Sequence, residues 1–415
     1  MDFNQNSIFS LILAVFWGVS GLSHAQTDVS LANSSVRTPE SGPRQIQLPD
    51  EPFRYRLESF PVTVTAVMTA LDNTPSDNPI TDHGATLGRV LFYDRSLSVN
   101  GTVSCASCHD QKHAFSDPRA SSLGFDGQSL ARNSMSLVNL RFYRRGRFFW
   151  DERAASLEDQ VLMPIENRLE MGHDLDQLVP QLQQDPIYPP LFRNAFNDPK
   201  VTEQRIAKAL AQFVRSIVSF NSRYDIGLAQ TQSPLEPFPN FTEQENLGKQ
   251  QFFGRALCAE CHLPGYRNEP FSSDRTNFPS SQWLVFQLRQ PTNNGIDSGA
   301  ADDDFGVATH SGNARDRGLF KASTLRNIDL TGPYMHDGRF ETIDQVIEHY
   351  NWSVRPQENL DERLRDFAAN GLALPEVPKV ALAKFLSTLT DESLLTDPKY
   401  SDPFVEQPQQ VATSD

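Results

Sequence analysis

The sequence predicts a mainly α protein in two domains. Three observations carry that reading. Apolar residues recur with the period of a helix at several places, convincing period-2 runs are absent, and the cysteines form two copies of one pentapeptide. A chain of 415 residues, 38% hydrophobic and 21% charged, has an ordinary globular composition and the length for more than one core. With 37 basic against 52 acidic residues the formal charge is -15. That balance excludes a nucleic-acid binder, which needs clustered Lys and Arg. A mean hydropathy of -0.46 excludes a multi-span membrane protein.

The elements follow in order. Residues 1–25 read as a signal peptide: 8–22 are apolar and Ser23-His24-Ala25 is a small-x-small cleavage signature. The run is shorter than the ~20 residues of a membrane span. This places the protein in the periplasm. The leader carries Asp2 and no basic residue, so an uncleaved anchor is the alternative. Residues 26–77 form an extended lead-in rich in Ser, Thr, Pro and Asp. The first domain, 78–235, opens with a periodic segment at 84–92. Its clearest helix is 202–220, with Ile206, Leu210, Phe213, Val214 and Ile217 on one face. Pro234, Pro237 and Pro239 mark the joint between domains. The second domain, 236–400, opens with a capping box, Thr242 and Glu245, for a helix toward Phe253. Thr342 and Gln345 cap another, and Leu382, Phe385, Leu386 and Leu389 mark the last. Residues 290–318 form a long Gly/Asn/Asp-rich loop, and 401–415 a tail.

The pentapeptides are Cys105-Ala106-Ser107-Cys108-His109 and Cys258-Ala259-Glu260-Cys261-His262. Cys-x-x-Cys-His is the attachment signature of c-type heme. Two thiols about one turn apart meet the two vinyl groups of one heme, and the adjacent His reaches the iron. Disulfides, redox dithiols or zinc half-sites would also use paired cysteines. None of these explains a His directly after both second cysteines. Two cytochrome c-like domains, each carrying one covalently bound heme, are therefore expected, with His109 and His262 as proximal ligands. Their wide spacing excludes a compact multiheme wire.

Several ordered segments resemble the bacterial diheme cytochrome c peroxidase and MauG family over roughly residues 78–400. They are Leu87-Gly88-Arg89-Val90-Leu91-Phe92, Arg132-Asn133-Ser134, Phe149-Trp150-Asp151-Glu152-Arg153, Gln160, Pro164, Glu170-Met171-Gly172 and Pro333-Tyr334-Met335-His336-Asp337-Gly338. The resemblance implies that Glu170 lies over the first heme. There a carboxylate can shuttle a proton between the two oxygens of peroxide, with Gln160 orienting the substrate. By residue type alone, 158–160 could equally be a solvated helix face. The resemblance also puts Trp150 between the hemes as an electron relay, where composition alone would make it core. Asn133 resembles a calcium ligand, with loop carbonyls from 300–318 completing the Ca²⁺ site. Homologues are often homodimers.

Two departures matter. Phe125 stands where the peroxidases carry a removable distal His, so the first iron is expected open in every redox state. His113 is too close to His109 to replace it. At the second heme, Gly332 stands where a Met ligand is expected. Tyr334 is the favoured sixth ligand, with Met335, His336 or water as alternatives. The first functional expectation is a peroxidase fed by a small periplasmic cytochrome c or cupredoxin through the second heme. The alternative is a MauG-like enzyme that uses peroxide to oxidise Trp or Tyr residues of a partner protein. A plain diheme electron carrier is disfavoured, because a carrier needs no acid/base group over an open iron.

Overall fold

The computed structural model describes residues 44–56, 71–231, 233–263, 286–287, 290–298 and 303–405. The expected signal peptide, most of the lead-in and residues 406–415 lie outside them. All described residues fall in one compact unit, Gly42–Asp415. The fold is mainly α. Among the described residues no strand forms, only isolated bridges such as Phe148–Ala154 and Tyr334–Phe340. No helix among them is long and apolar enough to cross a membrane.

Two apolar cores organise the chain. The first is built on α1 (Asp82–Tyr93), the short α2 (Leu157–Gln160) and α3 (Met163–Glu166), and α4 (Glu203–Ser216). Thr81 caps α1, accepting from the Gly84 amide at 3.0 Å. The α4 helix ends at Ser216 rather than running to Phe220. The Ile217 amide bonds back to the Val214 carbonyl, and Ile217 is extended. The second core follows α5 (Arg223–Ala229) and uses α6 (Glu243–Phe253), α7 (Cys258–His262), α8 (Ile343–Glu348) and α9 (Glu376–Ser387). The capping boxes expected at Thr242 and Thr342 are both formed.

Each core is held by one close helix crossing. α1 crosses α4 at Gly88, where a Cβ would stand 2.0 Å from the Ala209 carbonyl oxygen. α6 crosses α9 at Gly248, where a Cβ would stand 1.8 Å from that of Ala381. The likeness continues. Asn139 and Asn327 both have φ +60, and their amides bond the carbonyls of Ile217 and Leu389. The turn 148–154 matches 334–340, with left-handed residues at Phe149 and Glu152 in one and Met335 and Gly338 in the other. Ser156 and Thr342 then cap the next helix in each half. The molecule is a structural repeat.

The lead-in and tail differ from expectation. The side chain of Tyr55 is buried in the first core and its hydroxyl donates to the Lys399 carbonyl at 2.7 Å. Leu394 and Tyr400 also belong to that core. Gln47 and Val405 donate to the carbonyls of Pro403 and Gln45 at 2.7 and 2.9 Å. The end of the chain thus returns to the first half.

Candidate functional site: two Cys-x-x-Cys-His clefts and the turn between them

In the first half Cys105–Ser107 is a single tight turn, closed by the His109 amide on the Cys105 carbonyl at 3.0 Å. His109 Nδ1 lies 3.0 Å from the Phe115 carbonyl oxygen. That bond fixes Nδ1 as the protonated nitrogen and leaves Nε2 with its lone pair free, as a metal-ligating His requires. Burial holds the ring neutral by lowering its pKa. Burial likewise pushes the Cys105 and Cys108 thiols up to about 12 and about 11. Yet both cysteines keep accessible surface and neither is in a disulfide.

Glu170 belongs to the same cleft, since its charge acts on both cysteines. Asn167 Nδ2 donates to Glu170 Oε1 at 2.7 Å. Desolvation raises the carboxyl pKa, opposed by that bond and by the Arg153 charge. Arg153 is stacked 3.5 Å from the Phe149 ring centroid, so the Trp150 turn supplies the opposing cation. Phe125 is locked against this group. Its amide donates to the Glu170 carbonyl at 2.8 Å, and a Cβ on Gly172 would stand 2.5 Å from its ring. Gln160 ends α2, half-buried, with no side-chain hydrogen bond among the described residues. Its neighbour Glu158 is no solvated face: it takes Arg215 at 2.6 and 2.9 Å and Asn78 at 2.6 Å.

In the second half a cavity of about 250 Å³ is lined by Cys258, Cys261, His262 and an apolar wall including Phe252, Leu325, Ile347 and Leu386. Burial raises the thiols to about 12 and about 11. It lowers His262 to about 4, helped by the Arg363 charge and only partly offset by the Phe286 carbonyl. Among the described residues His262 Nδ1 has no hydrogen-bond partner of normal geometry. Phe286 repeats Phe115: both have positive φ, and both carbonyl oxygens accept the amide of a leucine, Leu325 and Leu137.

Trp150 also lines this cavity. Its Nε1 donates to the Asn133 carbonyl at 2.8 Å, and the Asn133 amide donates to the His336 carbonyl at 2.8 Å. The backbone of one residue, Asn133, therefore joins the indole to the second half. Asn133 Nδ2 is spent on the Arg119 carbonyl at 3.1 Å. Among the described residues no cluster of three or more His, Cys, Asp or Glu side chains is placed to hold a metal.

The three residues expected near the second iron are already engaged. Tyr334 Oη donates to the Ile328 carbonyl at 2.9 Å. Met335 Sδ takes Asn294 Nδ2 at 3.4 Å. His336 stacks on Phe320 with centroids 3.8 Å apart, and its Nε2 is 3.7 Å from Asp297 Oδ2. Tyr350, which the sequence reading did not single out, shares the cavity with these three residues. It lies in a π-helical turn at His349–Ser353. It is enclosed yet half-accessible, and its pKa is raised by burial and by the Cys261 thiol. The repeat was the available signal. Counted from the caps Ser156 and Thr342, Tyr350 falls where the first half has Pro164, whose carbonyl accepts the Met171 amide beside Glu170.

Each half thus offers two free thiols and a neutral imidazole, a donor set that fits heme, and the second half adds the adjoining cavity. Comparison with known proteins agrees. A family model described as di-haem cytochrome c peroxidase matches residues 82–233. The chain is 32% identical to the methylamine utilization protein MauG of Methylophilus methylotrophus, over 72% of this chain and 81% of that one. It is 31% identical to the cytochrome c551 peroxidase of Nitrosomonas europaea, over 64% and 71%. Among solved structures, a MauG-like protein associated with microbial copper homeostasis superposes with a TM-score of 0.66 at 32% identity, covering 83% of this chain and 99% of that one. The diheme peroxidase BthA from Burkholderia thailandensis shares the fold, with a TM-score of 0.59 at 20% identity, covering 79% and 91%. With two matched clefts and relatives of this similarity along most of its length, the chain belongs to the di-haem cytochrome c peroxidase and MauG family of oxidoreductases.

Proposed function

We propose that the protein reduces hydrogen peroxide in the first cleft with electrons that enter at the second. The observation that carries this is Glu170, a desolvated carboxyl in the same cleft as Cys105 and Cys108. The hemes, when bound through Cys105, Cys108, Cys258 and Cys261, supply the redox chemistry of peroxide reduction and electron delivery. His109 and His262 would hold the irons, His109 with its Nδ1 already engaged by the Phe115 carbonyl. Glu170 takes the proton from the near oxygen of peroxide and returns it to the far one. Gln160 offers its amide to orient peroxide. Phe125, with no ligating atom, leaves the first site open without a reductive trigger. Trp150 carries the electron between clefts.

As sixth ligand of the second iron we favour Tyr350 over the sequence-expected Tyr334: both line the cavity, but the Tyr334 hydroxyl donates to a backbone carbonyl while that of Tyr350 meets the Asn294 side chain. The boundary between the heme-binding halves is placed near 229–240. Asn133 Oδ1 is kept as a proposed calcium ligand, together with backbone carbonyls. The apolar leader places the protein in the periplasm. A small cytochrome c or cupredoxin there is the proposed donor.

A second reading has its own observation. Tyr350 lines the second cavity, and as a ligand it would favour the ferric state and help the second site share an oxidising equivalent. That is the arrangement needed to oxidise Trp or Tyr residues of a partner protein. Steady-state peroxide turnover with a reduced small cytochrome c, starting from the resting enzyme, separates the two. Immediate turnover supports the peroxidase. Absent turnover with a long-lived oxidised spectrum supports oxidation of a protein partner.

A further inference from the structure

The turn that carries Trp150 also holds a buried tyrosine. Tyr143 is 1% exposed, and its hydroxyl donates to Glu152 Oε1 in a short hydrogen bond. Glu152 is buried as well, and Arg145 Nε holds its two oxygens at 2.9 and 3.0 Å. Glu152 has φ +56, a left-handed conformation that a Cβ disfavours. The matched residue of the other half is Gly338, at φ +68. The first half therefore keeps a carboxylate where its backbone suits glycine. A retained outlier of this kind points to a task for the side chain.

The neighbours define the task. Lys321 reaches across from the second half, and its amide donates to the Trp150 carbonyl at 2.7 Å. Its ammonium lies 4.2 Å from the Tyr143 ring centroid and 4.9 Å from that of Phe148. It is buried, with no hydrogen-bond acceptor among the described residues. Lys321 thus touches the Trp150 backbone with its amide and the Tyr143 ring with its side chain. Burial lowers the Lys321 pKa to about 7, and it is the phenol itself that dictates the step, because losing an electron makes its O–H strongly acidic. Tyr143 can then give up an electron only together with its proton, and Glu152 stands ready to accept it. The hydroxyls of Tyr55, Tyr93 and Tyr400 donate instead to backbone carbonyls, which take no proton. Tyr188 donates to Asp94, within the Arg44 ion pair, and serves as a control.

We propose that Tyr143 is a redox-active side chain, with Glu152 as its proton acceptor, on which an oxidising equivalent from hydrogen peroxide comes to rest after Trp150. This rests on the reading of Trp150 as the relay between clefts. In the step, an oxidised Trp150 radical cation takes one electron from Tyr143. The Tyr143 O–H bond breaks and the proton passes to Glu152 Oε1. The products are neutral Trp150, a neutral Tyr143 phenoxyl radical and a Glu152 carboxylic acid. One electron from the donor, with return of that proton, restores the pair.

The test treats the holoenzyme with one equivalent of hydrogen peroxide and no donor. Samples are freeze-quenched for electron paramagnetic resonance, and peroxide consumption is measured in the same samples. In protein carrying ring-deuterated tyrosine the radical signal should narrow, an outcome that needs no variant. Tyr143→Phe, which keeps the ring, should abolish the signal, Glu152→Gln should cut it at least ten-fold, and Tyr188→Phe should leave it unchanged. A signal that does not narrow, that survives Tyr143→Phe or that is undiminished in Glu152→Gln overturns the proposal. Peroxide consumed without a tyrosyl signal overturns it alone. Peroxide left unconsumed overturns it together with the function on which it rests.

Discussion

The two halves share one scaffold and differ in what they place on it. Each has a glycine-mediated helix crossing, a Cys-x-x-Cys-His turn, a left-handed phenylalanine whose carbonyl faces the histidine, and a turn with two positive-φ residues. The differences sit at matched places. The first half has Trp150, Glu152 and Pro164 where the second has His336, Gly338 and Tyr350. Only the first adds the Asn167–Glu170 pair. The scaffold therefore sets where a heme is held, and a handful of side chains set what each site does.

The largest expected effect would break the assignment of chemistry to the first half. Glu170→Gln should slow peroxide reduction by about 10²–10⁴-fold, the usual worth of a positioned acid/base, with both hemes still attached. Stopped-flow rates beside a heme-content assay check it, and an unchanged rate moves the chemistry elsewhere. The pH profile sharpens the same point. Burial raises the Glu170 pKa above the ordinary 4.5. The carboxylate is the form that accepts the peroxide proton. Reactivity should therefore rise with pH through a value above 4.5 and fall below it, and Glu170→Gln should flatten that limb of kcat/KM.

Scaffold equivalence has its own test. In an open helix Gly→Ala stabilises by roughly 0.5–1 kcal/mol. Gly88→Ala and Gly248→Ala should each destabilise instead, by about 2–3 kcal/mol, because the new methyl meets a backbone carbonyl. Denaturant melts read this, and a large inequality would show that the two crossings are not equivalent. The smallest effects separate two tyrosines. Tyr350→Phe should alter the spectrum of the second heme alone. Tyr334→Phe should leave both spectra unchanged and cost about 1 kcal/mol for its lost hydrogen bond. A spectral change in Tyr334→Phe and none in Tyr350→Phe reverses the proposed ligation.

Much of this was legible in the sequence, for local reasons. Cysteine spacing, the capping boxes at Thr242 and Thr342 and the amphipathic run ending near Ile217 are short-range signals. What stayed hidden is long-range. Nothing near Tyr55 announces that it fills a core completed by Tyr400. Tyr350 lies in a helical stretch whose apolar pattern already explains a buried ring, and only superposing the halves sets it opposite Pro164. The Phe115 and Phe286 carbonyls act through backbone conformation, which residue identity does not encode. Glu158 looked solvated because its partner Arg215 is far along the chain.

The return of the chain end to the first half bears on how the protein is made. Ile46 bridges Phe404, and Tyr400 donates to the Ser216 carbonyl. The first half is synthesised early, yet its core lacks Leu394 and Tyr400 until the last residues arrive. Domains ordinarily fold in order of emergence. Here the earlier-born half needs residues of the later one to close its core. Truncation near residue 390 would consequently strip Leu394 and Tyr400 from the first core and damage the half farthest from the cut in sequence.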